Sequence, residues 1–131
     1  MAMFLSLDLV YVPTRDVDAA ARHYQEVLGA ELEWKVRGMG TVVASLRLAE
    51  SGPAILLSGH LEGEIPILVY RVADYAATVA ALRSGGLTEI TEIEIPHGPC
   101  ASFRAAGGQR YAVYQLVRPG AATHFAGRLD P

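Results

Sequence analysis

Four histidines, one cysteine and a set of arginines and aromatics are the side chains of this 131-residue chain best suited to chemistry. Among the histidines, His97 has the strongest claim. It stands in the turn Pro96-His97-Gly98-Pro99, and a turn of this kind can rim a cleft where imidazole hydrogen-bonds or stacks on a ligand. His23 is expected beside the apolar face of a helix, and His124 at the surface or in a contact between copies. His60 falls with Glu62 and Glu64 in a charged connector that is expected to be solvated. Cys100 would be reactive only where a neighbour lowers its pKa, so a buried filler is the expectation. No nucleophile pattern of serine, histidine and aspartate stands out, and Gly85-Gly86 and Gly107-Gly108 read as turns, not phosphate loops. The remaining groups suit binding. Tyr11, Trp34, Phe103 and Tyr114 offer flat apolar faces, and Arg47, Arg71 and Arg110 offer guanidinium groups. That combination fits a flat or anionic organic molecule held in a cleft.

Such a cleft needs strands to present these side chains, and the chain states its strand plan twice. Leu9-Val10-Tyr11-Val12-Pro13-Thr14-Arg15-Asp16 is an apolar run closed by an aspartate, and Ile67-Leu68-Val69-Tyr70-Arg71-Val72-Ala73-Asp74 repeats it. Each run is followed by an Ala-rich helical stretch, 16–28 and 74–84, with Asp16 and Asp74 where the helices begin. On the first helix Val17, Ala20, Ala21, Tyr24, Val27 and Leu28 share one face, and Gly29 stops it. Strands are expected at 5–13, 32–36, 41–48 and 54–58, then at 67–72, 87–95, 101–104 and 110–117, with a connector over 59–66. A short terminal helix is expected over 121–128. The order is βαβββ twice, an α+β fold in one domain over 1–131, with modules of about 5–58 and 66–117 and a segment 118–131. Neither unit buries both its faces alone, so the two pack together around a cleft. Alternation puts Leu9, Tyr11, Ile67, Val69 and Arg71 opposite the helices, and gives Arg110 and Tyr114 the parity of Ala112.

Composition bounds the function. Hydrophobic residues at 51% and charged residues at 19% exclude a disordered chain, and a net charge of −3 with scattered basic residues leaves no footprint for nucleic acid. One cysteine excludes an internal disulfide and fits a reducing compartment. Met1-Ala2-Met3-Phe4-Leu5 lacks the basic start of a signal peptide, and no run approaches the ~18 apolar residues of a membrane span. The expected location is the cytoplasm, with no membrane partner.

The two-module order, with Val12-Pro13-Thr14-Arg15-Asp16-Val17-Asp18 and then His23-Tyr24-Gln25-Glu26-Val27-Leu28-Gly29, resembles the vicinal oxygen chelate superfamily. This is also called the glyoxalase/bleomycin resistance/dioxygenase superfamily. The second motif is similar to the family's Phe-Tyr-x-x-x-Leu-Gly helix end, with His23 for Phe. Val72-Ala73-Asp74 matches its V-x-D step. Gly98, Phe103-Arg104 and Gly107-Gly108-Gln109 look like its G-x-x-x-x-F-x-D-P-x-G-N run, with Ala105-Ala106 for Asp-Pro. The resemblance covers about 5–117.

It implies a curled mixed sheet around a cleft, a homodimer and, in the family's enzymes, a divalent metal held by His and Glu. The places it implies for those ligands are Leu9, Ile67, Ala112 and one of 55–57, all apolar here. Asp8 reaches the place of Leu9 only through a slip that turns the strand inside out. No metal or other cofactor is therefore expected. The chain reads as a homodimeric member that binds a small organic molecule with Tyr11, Trp34, Arg47, Arg71, His97, Phe103, Arg110 and Tyr114. Whether a reaction follows binding is open. Two alternatives remain: a metal-dependent lyase, isomerase or dioxygenase using Asp8, His60 or His97, and a dimeric interaction module whose cleft is filled by its own side chains.

Overall fold

Asp16 and Asp74 each cap a helix, accepting the N–H of Ala19 and of Ala77 at 3.0 Å. The computed structural model of the chain describes residues 3–38, 40–61 and 63–131. Its first half is β1 (Ser6–Pro13), α1 (Val17–Val27), β2 (Glu31–Gly38), β3 (Thr41–Arg47) and β4 (Ala54–Ser58). The second is β5 (Ile67–Arg71), α2 (Tyr75–Ser84), β6 (Thr91–Ile95), β7 (Gly98–Arg104) and β8 (Arg110–Tyr114). The βαβββ plan is present twice, and the fold is α+β.

One eight-stranded mixed sheet runs β2-β3-β4-β1-β5-β8-β7-β6 and does not close into a barrel. Within each half the first strand pairs parallel to the fourth, and antiparallel β1–β5 pairing joins the halves. The repeat thus places its two copies of the apolar run side by side at the centre.

Both helices cover the outer face. Val17 and Ala21 of α1 pack with Ala44, Leu46 and Leu57, and Val79 of α2 packs with Ala101, Phe103 and Val113. Alternation leaves the next residues of these strands on the opposite face. Val27 and Leu28 do not join the core as their spacing suggests; they are 66% and 52% exposed. Leu28 is already the C-cap, and the chain reverses at Gly29 (φ 71°), so the last turn lies beyond the packed face.

Three boundaries differ from expectation. Leu87 and Ile90 pack under α2, so β6 begins only at Thr91. β7 starts at Gly98, three residues early, because the Pro96-His97 turn is itself the hairpin between Ile95 and Gly98. Residues 115–118 leave the ladder after Tyr114, and Gln115, Val117 and Arg118 donate instead to the carbonyls of Pro99 and His97. In place of a terminal helix over 121–128 there is a single 3₁₀ turn, Pro119–Thr123, followed by a bridge between Leu129 and Lys35. Among the described residues no helix is long and apolar enough to cross a membrane.

Candidate functional site

The inner face of the sheet encloses two adjoining cavities. One, of about 430 Å³, takes residues from every strand, from Tyr11 of β1 and Val36 of β2 to Ile93 of β6 and Ala112 of β8. The sheet is therefore curled, with both edges brought round to one space. The other, of about 420 Å³, is the polar end, where Asp8, Glu33, Arg47, Arg71, His97 and Tyr114 meet. Tyr11, Trp34, Leu56 and Phe125 line both and form a waist between them. Open volume of this size does not suit the alternative in which the chain's own side chains fill the cleft.

Two β-bulges build the polar end. The register of β1 against β5 shifts between Leu7 and Leu9, and that of β2 against β3 between Leu32 and Trp34. The extra residues are Asp8 and Glu33. A bulge adds one side chain to a face without inverting the strand, so Asp8 joins Leu9 and Tyr11 inside while Val12 still packs toward α1. By the same device Glu33 accompanies Trp34 into the cleft, against the simple alternation that would leave it in solvent. On the far side of that bulge, Lys35 turns outward to pair with Asp18 at 2.6 Å.

The carboxylates are well served. Asp8 accepts from Ser6 Oγ at 2.6 Å and from the Tyr114 hydroxyl. Glu33 accepts from Ser45 Oγ and Arg47 Nε, each at 3.2 Å, and Arg47 also donates to the Gly52 carbonyl at 2.8 Å. Arg71 is different. Its Nε pairs with Asp8 only at 4.0 Å, too far for a hydrogen bond, and is buried with no hydrogen-bond partner among the described residues. Tyr11 likewise makes no hydrogen bond through its hydroxyl to any described residue, and burial pushes its pKa up to about 12, so it remains an O–H donor.

His97 lies edge-on to the Tyr114 ring, with centroids 5.6 Å apart, and its Nδ1 is buried with no hydrogen-bond partner among the described residues. Burial holds the imidazole below its usual 6.5; the Asp8 charge opposes this and Arg118 adds to it. The folded state thus prefers neutral His97. Its contribution to stability is full above pH 6.5 and declines as pH falls through the lowered folded-state value. An NMR titration of His97 is expected to give a midpoint below 6.5, and a midpoint above it would contradict this account.

The structure brings Tyr11, Trp34, Arg47, Arg71, His97 and Tyr114 to the polar end and waist, and Arg110 to the apolar cavity. It does not bring Phe103. Cys100 and Ser102 take the inner parity of β7, so Phe103 points outward, stacked on Tyr111 at 6.0 Å. Cys100 is a buried wall of the apolar cavity, its thiol pushed up to about 11 by burial. His60 is exposed at the mouth of that cavity, and Glu62 lies outside the described residues. His23 and His124 are exposed. The residues that sequence reasoning missed are Glu33, Ser45 and Phe125.

The metal implied by the family resemblance has no fitting donor set here. Leu9 and Leu56 line the polar end, and Ile67 and Ala112 the apolar one. Hydrocarbon side chains cannot replace water around a cation. Among the described residues no group of three or more His, Cys, Asp or Glu could hold a metal ion.

Paired βαβββ units whose inner faces share one cleft define a known class of α+β protein. The model of the Glyoxalase/Bleomycin resistance protein/Dioxygenase superfamily matches residues 6–99, and the chain belongs to that superfamily. Its fold is similar to that of methylmalonyl-CoA epimerase from Mycobacterium tuberculosis, at 22% identity and a TM-score of 0.72, covering 93% of this chain and 95% of that one. It is also similar to a Streptomyces coelicolor methylmalonyl-CoA epimerase in complex with 2-nitronate-propionyl-CoA. There the identity is 15% and the TM-score 0.69, over 88% of this chain and 99% of that one. No curated protein matches the chain.

Proposed function

We propose that this chain binds a small organic anion in its cleft without a resident metal ion. The acidic group of the ligand sits at Arg71, and its flat or apolar body lies past the waist in the apolar cavity. The observation that carries this reading is the Arg71 guanidinium, which lines the polar end with only a long ion pair to Asp8, at 4.0 Å, and no hydrogen bond to any described residue. A guanidinium held in that state gains most from a carboxylate or similar oxyanion, which can accept two parallel N–H groups. Tyr11 supplies a further O–H donor at the waist. The structural relatives include an epimerase in complex with methylmalonyl-CoA, itself an organic anion, which supports a small-molecule role for this cleft.

The test is calorimetric titration with 2-naphthoate, octanoate and uncharged 2-naphthalenemethanol, alongside elemental analysis of the purified protein. Both carboxylates are expected to bind and the alcohol to bind more weakly, with no stoichiometric Zn, Ni, Mn or Fe. Metal at about one per chain, lost together with stability on chelation, would replace this reading with the metal-dependent one. The same protein is proposed to be a homodimer. β6 is an unpaired sheet edge, and Ile93 on it is 52% exposed although it lines the cavity, so a second copy would cover both. Sedimentation at micromolar protein is expected to give the dimer mass; a concentration-independent monomer would refute it.

A further inference from the structure

The residues after Tyr114 cross the mouth of the cleft from one edge of the sheet to the other. At the β6 side, Arg118 donates to the Pro96 and Ile95 carbonyls at 2.7 Å and pairs with Glu94 at 2.6 Å. At the β2 side the main chain is tied down three times. Gly127 N–H donates to the Glu33 carbonyl at 3.1 Å, Lys35 N–H to Arg128 at 2.8 Å, and Asp130 N–H to Lys35 at 2.9 Å. Asp130 then accepts from the Arg37 N–H at 2.8 Å and from Arg128 Nε and Nη2, each at 2.9 Å. β2 and β6 are the two outermost strands of the sheet. The segment is therefore a strap fastened to both edges.

The middle of the strap is small: proline, glycine and alanines precede Thr123. Two of the strap's large apolar side chains face inward: Leu116, which lines the polar end alone, and Phe125, which lines both cavities and meets Trp34 with centroids 5.3 Å apart and planes at 53°. Two tilted rings offer a planar ligand one face for offset stacking and one for an edge contact. An alkyl chain gains no such directional contact.

We propose that Phe125 is a specificity-determining residue of the cleft, which with Trp34 selects ligands carrying a planar ring. This rests on the reading that the cleft binds an organic anion. Arg71 on β5 holds the acidic group in common for all such ligands, whereas Phe125 discriminates among their bodies.

Calorimetric titration of the full chain with 2-naphthoate and with octanoate tests this. In Phe125→Leu, which keeps an apolar side chain on the strap, affinity for 2-naphthoate is expected to fall about five- to tenfold, and that for octanoate by less than about twofold. Phe125→Tyr should restore 2-naphthoate binding, and 2-naphthoate should quench the single tryptophan, Trp34, in the wild type. Equal loss of both ligands in Phe125→Leu, or no loss of either, would reduce Phe125 to a filler and overturn the inference. Octanoate binding without 2-naphthoate binding would overturn it as well, while leaving an anion-binding cleft in place. If neither carboxylate binds the wild type, the cleft reading fails and takes this one with it.

Discussion

Gly98→Ala is expected to destabilise the protein by about 3 kcal/mol, at the upper end for an overpacked core site, and to lower Tm by roughly 10 °C. A Cβ at this position would stand 2.1 Å from the Gln115 carbonyl oxygen and 3.0 Å from Val117 Cγ2. The first of these is backbone, so no rotamer change relieves it. Gln115 N–H is also tied to the Pro99 carbonyl at 3.2 Å, and Val117 and Arg118 N–H to that of His97 at 3.0 Å. Moving Gln115 therefore breaks the close pairing that sets His97 at the rim and starts the strap. Gly120→Ala, where nothing lies within 4 Å and φ is not positive, is the matched control and should be near neutral. Calorimetry on both variants checks this. A Gly98→Ala protein as stable as the control would mean that residues 115–118 are not held against the turn.

The contrast between these two glycines reflects what a sequence can carry. Gly98 was legible as a turn residue, but its need for a bare Cα arises from a segment that arrives seventeen residues later, at Gln115, and no local pattern encodes that approach. Features decided within a few residues were legible. Asp16 and Asp74 cap helices because each carboxylate meets an N–H three positions on. Tyr11, Arg71 and Tyr114 face the cleft because each lies in a stretch of strand clear of the bulges, where alternation fixes them. Alternation failed where the ladder is interrupted. Asp8 and Glu33 enter the cleft through bulges, and a bulge is set by the partner strand, not by the residue that occupies it. The strand expected over 87–95 begins late because Leu87 and Ile90 pack into the core beneath α2 instead. The tail was least legible: its small residues predict nothing strong locally, and its path is dictated by the two sheet edges it bridges.

Arg71→Met is expected to separate binding from stability more sharply than any other change at the site. Affinity for 2-naphthoate and octanoate should fall together, by about 10- to 100-fold, the range for losing hydrogen bonds to a charged group. The lower end applies if solvent screens the contact, since the Arg71 side chain is 41% exposed. Stability should hold or rise, because the substitution removes a buried Nε that has no hydrogen-bond partner among the described residues. Asp8 loses only a long ion pair, at 4.0 Å, because Ser6 and Tyr114 supply its hydrogen bonds. Arg71→Lys keeps the charge but loses the planar fork, so it should recover only part of the affinity. A uniform loss of stability in Arg71→Met, with carboxylate affinity unchanged, would make this guanidinium a structural partner of Asp8. The oxyanion site would then have to lie elsewhere along the cleft.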